Sequence, residues 1–230
     1  MDGSAAAARR TGPSPWLDIP LDAYEAHMAL PEVGQAPMLA DIFGALLREH
    51  LPETVAVLGC AGGNGLERID PAATSRVVCV DINQQYLDVL RERHQGRFAR
   101  LQTTCLDIER RLVLCEPVSL VWAALLFEYV DPCAAMNRIA HLIADDGILA
   151  TVVQEHDTDR PAVTPSPYTC LEALAPALRH VAPSRLAALA AGLGLYEMRR
   201  QRVATAAGKH FTVQVFQRDP VAMDPDEGEA

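Results

Sequence analysis

A short apolar run that breaks into a glycine-rich turn is the feature that most constrains the fold of this chain. Residues 55–58 are apolar and are followed by Gly-Cys-Ala-Gly-Gly-Asn-Gly at 59–65. Glycine permits positive φ and leaves no side chain between the backbone and a ligand. The pattern predicts a strand, a tight loop and then a helix, with loop N–H groups that can approach polar groups of a nucleotide-like ligand.

A second apolar strand and a carboxylate support this interpretation. Residues 76–80 read Arg-Val-Val-Cys-Val and end at Asp81, about twenty residues after the first glycine. In a doubly wound sheet this position puts a carboxylate beside a ribose. The dinucleotide fingerprint G-x-G-x-x-G fits poorly, because counting from Gly59 it places Ala61 and Asn64 at the second and third glycine positions.

The same residues resemble the first motif of the class I S-adenosylmethionine-dependent methyltransferases, in which a strand leads into G-x-G-x-G. Gly59, Ala61 and Gly63 occupy the three glycine positions, and Asn64 follows them in the loop. The resemblance implies that this loop binds the methionine part of S-adenosylmethionine. Val57 departs from the family, which often carries an acidic residue there, so the amino group of the cofactor needs another partner.

The resemblance extends to the ends of the second and third predicted strands. Asp81, followed by Ile82, matches the family's carboxylate that accepts hydrogen bonds from both ribose hydroxyls. Asp107 matches an acidic residue that accepts a hydrogen bond from the adenine amino group, and Leu106 and Ile108 would flank the adenine ring. The resemblance therefore implies that these positions bind the cofactor.

The second half of the chain predicts the rest of the sheet. A fourth strand covers residues 118–123, and in the family the residues around Ala123 lie beside the transferable methyl group. Residues 195–203 and 211–218 are strand-like runs without room for a helix between them, so they pair antiparallel or lie in different sheets. Together with the resemblance, this predicts an α/β fold: a Rossmann-like, seven-stranded, mostly parallel sheet with a C-terminal antiparallel hairpin and an N-terminal helical cap.

Composition divides the chain into a flexible leader at 1–15, a methyltransferase-like domain at 16–218 and an acidic flexible tail at 219–230. Within the domain, two segments lie outside the predicted Rossmann-like core. These are the helical cap at 16–50 and an insertion at 154–194. We expect both segments to form the substrate side of the site.

Polar side chains of the predicted cap are candidates for the sulfonium end of the cofactor. Helical patterns cover residues 22–30 and 35–50. In related enzymes such a cap closes over the sulfonium, and its Tyr, His or Gln side chains reach the cofactor or the acceptor. The resemblance thus implies cofactor contacts from Tyr24 and Gln35, and an acceptor-side role for His27.

Three side chains are candidates for catalysis: His27, Glu128 and His156. The sulfonium already makes the methyl group electrophilic, so the protein mainly aligns a nucleophile and excludes water. A general base is needed only if the attacking atom carries a proton of high pKa. Glu128 and His156 follow the fourth and fifth strands, whose carboxyl ends bind ligands in open α/β sheets. The sequence leaves open whether oxygen, nitrogen, sulfur or carbon is methylated.

The charge balance disfavours nucleic acid as a partner. Thirty acidic and twenty basic residues give a formal charge of −10, whereas a protein that grips phosphates needs a basic face. No apolar stretch reaches the length of about eighteen residues that a membrane span requires, and the N-terminus lacks the apolar core of a secretory signal. We therefore expect a cytoplasmic enzyme that acts on a small molecule.

The six cysteines include no C-x-x-C pair, and no His cluster has metal-ligand spacing, so neither a metal site nor a disulfide framework is predicted. Two other functions stay open at this point. Asp81 would suit an NAD(P)-dependent reductase, although the loop and the terminal hairpin disfavour it. The missing acid at Val57 would permit a non-catalytic, cofactor-binding interaction module.

Overall fold

A computed structural model describes residues 12–218. The predicted leader lies outside this range except for residues 12–15, and the predicted tail at 219–230 lies outside it entirely. Strands form one sheet: β1 (Thr54–Leu58), β2 (Arg76–Asp81), β3 (Arg100–Cys105), β4 (Val118–Ala124), β5 (Ile143–Gln154), β6 (Leu195–Ala204) and β7 (His210–Arg218).

The strand order across the sheet is β3-β2-β1-β4-β5-β7-β6. Every pair from β3 to β5 is parallel, whereas β7 runs antiparallel to both β5 and β6. The predicted fold class is therefore confirmed. The chain extends the sheet in one direction from β1 to β3 and in the other from β4 onward, so a topological switch point lies between β1 and β4, where open α/β sheets bind ligands.

The N-terminal helical cap is also confirmed, with helix bounds within one residue of the prediction.

Asp131 begins the helix after β4, because its side chain accepts a hydrogen bond from the backbone N–H of Ala134 at 2.7 Å. The helices are α1 (Leu21–Ala29), α2 (Gln35–His50), α3 (Gln84–His94), α4 (Pro132–Ala140) and α5 (Pro183–Ala191).

Both faces of the central sheet are covered, which explains why β1, β2 and β4 are nearly continuous apolar runs. On one face, α2 and α3 pack through a cluster in which Phe43 of α2 stacks on Trp122 of β4, with ring centroids 5.2 Å apart. On the other face, α4 and α5 pack through Met136 and Leu186, which are both fully buried. Within residues 12–218, no helix has the length and apolar character needed to cross a bilayer.

The structure corrects the predicted helix after the glycine-rich loop. Only a single 3-10 turn forms there, at Leu66–Arg68. The reason is local, since Pro71 disfavours helical geometry at the residue before it and leaves room for one turn. The loop therefore has no helix N-terminus behind it, and any ligand must be held by the loop backbone and its neighbours.

The insertion at 154–194 is mostly irregular before α5. In the segment 154–194 the structure has a short 3-10 helix, Thr169–Leu174, followed by α5.

Candidate functional site

A cavity opens at the carboxyl ends of β1, β2, β4 and β5, beside the topological switch point. The cap, with α1 and the start of α2, closes it from one side, and the loop after β5 closes it from another. Strand ends supply one wall, formed by Leu58, Gly59, Val80, Asp81, Ala124 and Gln154.

The glycine-rich loop contributes Gly59 and Ala61 to the cavity. Gly59 has φ +66°, and a Cβ built there would meet only the tip of Leu126 at 3.4 Å, so the loop leaves space for a ligand. Ala61 has φ +44°, a left-handed conformation that glycine adopts at lower energy. The backbone at Ala61 therefore has the geometry that the family's middle glycine would supply.

Asp81, at the end of β2, is tied to the glycine-rich loop. Its Oδ2 accepts a hydrogen bond from the backbone N–H of Ala61 at 2.8 Å, and its Oδ1 accepts one from that of Asn83 at 2.9 Å. Burial raises the pKa of this carboxyl group, and the backbone N–H groups of Asn83, Ala61 and Ile82 oppose that rise. Each carboxylate oxygen has a second lone pair, so Asp81 can still accept hydrogen bonds from a diol in the cavity.

The turn after β3 forms a narrow apolar part of the cavity. Leu106 and Ile108 line it and are buried, with Ile82 opposite them on the segment after β2. Asp107 lies between them, and its Oδ1 accepts a hydrogen bond from the backbone N–H of Glu109 at 2.9 Å. Arg110 lies 3.5 Å from the other oxygen of Asp107.

The cap places the predicted side chains Tyr24, His27 and Gln35 in the cavity wall. Trp16 packs edge-on against Tyr24, with centroids 5.2 Å apart, and against Tyr129, with centroids 5.0 Å apart. His27 Nδ1 lies 2.8 Å from Ser166 Oγ of the loop after β5. Burial lowers the pKa of His27, which favours the neutral imidazole.

An ion pair holds the cap against the glycine-rich loop. Two guanidinium nitrogens of Arg93, on α3, donate to both carboxylate oxygens of Glu25, on α1, at 2.5 and 2.9 Å. The same guanidinium donates to the carbonyl of Gly62 at 3.2 Å. A Cβ at Gly62 would lie 2.1 Å from Glu25 Oε1, so only glycine permits this approach.

Glu128 is the most unusual polar residue of the cavity wall. It is 1% exposed, and its Oε1 accepts a hydrogen bond from the backbone N–H of Gln154 at 2.6 Å. Its Oε2 is buried and has no hydrogen-bond partner in the part of the chain that the structure describes. Burial raises the pKa of Glu128 to about 7, although the bond from Gln154 opposes the rise.

Four predicted site residues lie away from the cavity. Gly63 packs toward α3, where a Cβ would meet His94 Nε2 at 3.0 Å, and Asn64 is exposed and donates to the carbonyl of Ala36 at 3.1 Å. Ala123 is fully buried in the core, because neighbouring residues of a strand face opposite sides and Ala124 takes the cavity position. His156 packs instead against His180, with ring centroids 4.4 Å apart.

Sequence reasoning missed several residues of the wall. Ser14 and Trp16 precede the first predicted helix. Tyr86 and Tyr129 follow strands at whose ends the sequence analysis names only the carboxylates Asp81 and Glu128. Ser14 was assigned to the flexible leader, yet it is buried. Aromatic residues next to strand ends were the available signal. The side chains of the insertion that line the cavity are Ala162, Val163, Thr164, Leu171, Leu174 and Leu178.

Comparison with known proteins shows what this arrangement is similar to. Residues 55–147 match a family model described as a methyltransferase domain. No curated protein matches the chain. Magnesium protoporphyrin IX methyltransferase from Synechocystis PCC 6803, solved with S-adenosylhomocysteine, is 14% identical, with TM-score 0.64 over 86% of this chain and 94% of that chain.

Other solved structures share the fold at similarly low sequence identity. The N-methyltransferase NodS from Bradyrhizobium japonicum, in complex with S-adenosylhomocysteine, is 20% identical, with TM-score 0.57 over 91% of this chain and 94% of that chain. The [4+2]-cyclase SpnF is 12% identical, with TM-score 0.59 over 78% of this chain and 81% of that chain. At these identities the likeness establishes the fold.

Proposed function

We propose that this chain, a member of the class I S-adenosylmethionine-dependent methyltransferases, transfers a methyl group from S-adenosylmethionine to a small-molecule acceptor. One observation carries the proposal. The carboxylate of Asp81 is bonded to the glycine-rich loop and faces the same cavity as the buried carboxyl group of Glu128. A site for a ribose and a site for an acceptor are therefore contiguous.

The residues present fit the adenosine part of S-adenosylmethionine. Asp81 would accept hydrogen bonds from the ribose hydroxyls, since both of its oxygens keep a free lone pair. Leu106, Ile108 and Ile82 would enclose the adenine ring, and Asp107 would accept from its amino group. This set combines an apolar slot for the adenine ring with two carboxylate acceptors for the hydroxyl and amino donors of adenosine.

The methionine part would lie between the loop and the cap. The N–H groups of Gly59 and Ala61 are already bonded, to the carbonyl of Val80 and to Asp81, so their carbonyls are the backbone groups that could accept from the amino group of the cofactor. Tyr24 and Gln35 line the same cavity. These cap side chains would replace the acidic residue that Val57 does not supply. Val57 itself is buried in β1 and lies outside the cavity wall.

S-adenosylmethionine, when bound, supplies a methyl group on a positively charged sulfur. The task of the protein is then to align a nucleophile with that methyl group and to exclude water. The apolar cap and insertion exclude water, and Glu128 is placed to accept a proton. Of the three predicted catalytic residues, we assign this role to Glu128, give His27 a positioning role through Ser166, and give His156 none.

We propose further that the acceptor is not nucleic acid and that the protein works in the cytoplasm. None of the cavity-lining side chains in residues 12–218 is Lys or Arg, so the site offers no phosphate-binding cation. All six cysteines are free thiols, as is usual in a reducing compartment. We also propose that the methyltransferase domain, predicted at 16–218, includes the buried Ser14 at its start and is followed by an acidic tail at 219–230.

Two alternative functions make different predictions. A reductase would bind a nicotinamide dinucleotide, which the hairpin-terminated sheet does not favour. The similarity to a [4+2]-cyclase illustrates that this fold hosts other chemistry, so a non-transferring activity or a binding module must be tested directly.

Calorimetry with S-adenosylhomocysteine, S-adenosylmethionine and NADH tests the proposal. We expect both sulfur compounds to bind in the micromolar range and NADH not to bind. Asp81→Asn should weaken both sulfur compounds. Binding of NADH alone would establish the reductase, and binding of none of these ligands would reject the assignment of the cavity.

A further inference from the structure

The carboxyl group of Glu128 is half satisfied inside the cavity wall. One oxygen accepts from the backbone N–H of Gln154 at 2.6 Å, and the other is buried without a hydrogen-bond partner among residues 12–218. Leaving a buried acceptor unsatisfied is unfavourable, so its presence in a mainly apolar wall calls for a ligand that donates to it. The side-chain amide of Gln154 donates to the carbonyl of Ala162 at 3.1 Å and makes no bond to this oxygen.

The cavity wall around Glu128 is mainly apolar, and no Lys or Arg among residues 12–218 lines it. Leu171, Leu174 and Val163 line the same cavity and pack in one cluster with Trp16 and Tyr129. Asp81 and Asp107 are the other carboxyl groups in the wall, and His27 is its one imidazole among the described residues. Burial and, secondarily, the charge of Lys209 lower the pKa of His27, so this imidazole is not a counter-ion for an anionic acceptor. Lys209 itself does not line the cavity, because its Nζ donates to the carbonyls of Pro161 and Ala162.

These two observations define the chemistry of the acceptor. We propose that the acceptor is an uncharged molecule with a largely apolar body that donates an O–H or N–H hydrogen bond to Oε2 of Glu128, and that this oxygen takes the proton when the acceptor is methylated. The inference rests on the proposed methyltransferase function. Carboxylates and phosphates do not fit this site as methylated groups, because at neutral pH they have no proton to donate to Oε2. They would also add negative charge beside Glu128, Asp81 and Asp107, against which the sulfonium supplies a single positive charge.

The transfer balances with these residues alone. The O–H or N–H bond of the acceptor breaks, and its proton passes to Glu128 Oε2. An electron pair of the acceptor oxygen or nitrogen forms the new bond to the methyl carbon. The bond from that carbon to sulfur breaks, and its electron pair remains on sulfur. Glu128 must therefore begin ionised and end protonated. Its proton then leaves to solvent when the products dissociate.

Fragment binding to the S-adenosylhomocysteine complex tests the inference without turnover. Phenol, anisole and benzoate all contain a benzene ring. Phenol is a neutral hydrogen-bond donor, anisole is neutral without a donor, and benzoate is an anion. Ligand-observed NMR at pH 8 should show phenol binding at least about tenfold more tightly than anisole, as expected for a hydrogen bond to a charged group, and benzoate not binding. Equal binding of phenol and anisole, or no phenol binding, would overturn the inference, as would a preference for benzoate.

Glu128→Gln and Glu172→Gln form a matched pair of variants. Glu172 is exposed on the 3-10 helix whose Leu171 and Leu174 line the cavity, so its amide should leave every affinity unchanged. In Glu128→Gln, the amide oxygen still accepts from Gln154 and the amide nitrogen faces the cavity as a donor. The preference for phenol over anisole should therefore disappear or reverse, while S-adenosylhomocysteine binds within about twofold of the unmodified protein.

The same measurements separate the two proposals. If the unmodified protein does not bind S-adenosylhomocysteine, the proposed function is rejected. Retained binding with a phenol preference that Glu128→Gln does not alter would reject only the acceptor inference.

Discussion

The backbone N–H of Ala61 donates to Oδ2 of Asp81 across 2.8 Å, which joins the glycine-rich loop to the end of β2. The carboxylate thus fixes the loop while keeping lone pairs free for a ligand. Without a long helix behind the loop, this bond is a principal restraint on the loop backbone. It also means that any change at Asp81 alters two things, the ligand contact and the position of Ala61.

We expect Asp81→Asn to lower the affinity for S-adenosylhomocysteine by about 1.5–3 kcal/mol, the range for hydrogen bonds to a charged group. An amide can accept at only one of its two ends, so either the loop or the ribose loses a partner. Calorimetry at pH 8 measures the change. Asp88→Asn, an exposed residue of α3, is the control, and equal affinities for the two variants would show that Asp81 does not hold the cofactor.

Glu128→Gln should stabilise the protein in a pH-dependent manner. The folded-state pKa of Glu128 is raised from 4.5 to about 7, so the carboxyl group contributes stability that is complete below pH 4.5 and is lost as the pH rises through 7. At pH 8 the buried charge opposes folding by about 3 kcal/mol, which the amide removes. Urea unfolding at pH 8 and pH 4.5 should show a more stable variant only at the higher pH, and a gap of equal size at both would contradict the assigned pKa.

Arg93→Met should speed the dissociation of S-adenosylhomocysteine. The change removes the paired bonds to Glu25 and the bond to the carbonyl of Gly62, so the cap is no longer held to the loop. The free energy of unfolding should change by less than about 1 kcal/mol, because the ion pair is partly exposed. Stopped-flow displacement measures the rate.

The control for that experiment is Arg91→Met, which breaks an exposed ion pair to Asp88 on the same helix. We expect Arg91→Met to leave the dissociation rate unchanged. If both variants release the ligand at the rate of the unmodified protein, the ion pair between Glu25 and Arg93 does not control access to the cavity.

Lys209→Met should loosen the loop after β5. Lys209 Nζ donates to the carbonyls of Pro161 and Ala162 at 3.3 and 2.8 Å. Residues 162–164 line the part of the cavity where we expect the methyl acceptor to bind. We expect faster hydrogen exchange in residues 158–166 and weaker phenol binding, with unchanged affinity for S-adenosylhomocysteine. Exchange as slow as in the unmodified protein would show that Lys209 is not what fixes this loop.

The sequence alone was sufficient to predict the sheet and the carboxylates at its edge. Apolar runs such as residues 55–58 and 76–80 predict strands because a strand buried on both faces must be apolar throughout. A polar residue directly after such a run, like Asp81, must then lie at a strand end. Helices α1 and α2 were predicted from a local periodicity that depends only on nearby residues.

Local signals failed where a residue further along the chain decided the outcome. The helix expected after Gly65 is limited to one turn by Pro71, and Ala123 is replaced by Ala124 because the register of β4 determines which residue faces the cavity. His156 and Glu128 both follow strands, and nothing in their sequence neighbourhoods distinguishes the histidine that faces away from the glutamate that lines the wall.

The sequence by itself thus determined the order of strands and helices and the chemical types available at the sheet edge. Only the tertiary structure decided the pairings that make a site, since Glu25 meets Arg93 and Glu128 meets Gln154 across separations of 68 and 26 residues. Such contacts arise from how distant segments pack around the sheet. Burial then sets the chemistry of Glu128, because the pKa of a carboxyl group depends on the solvent and partners that the folded chain leaves to it.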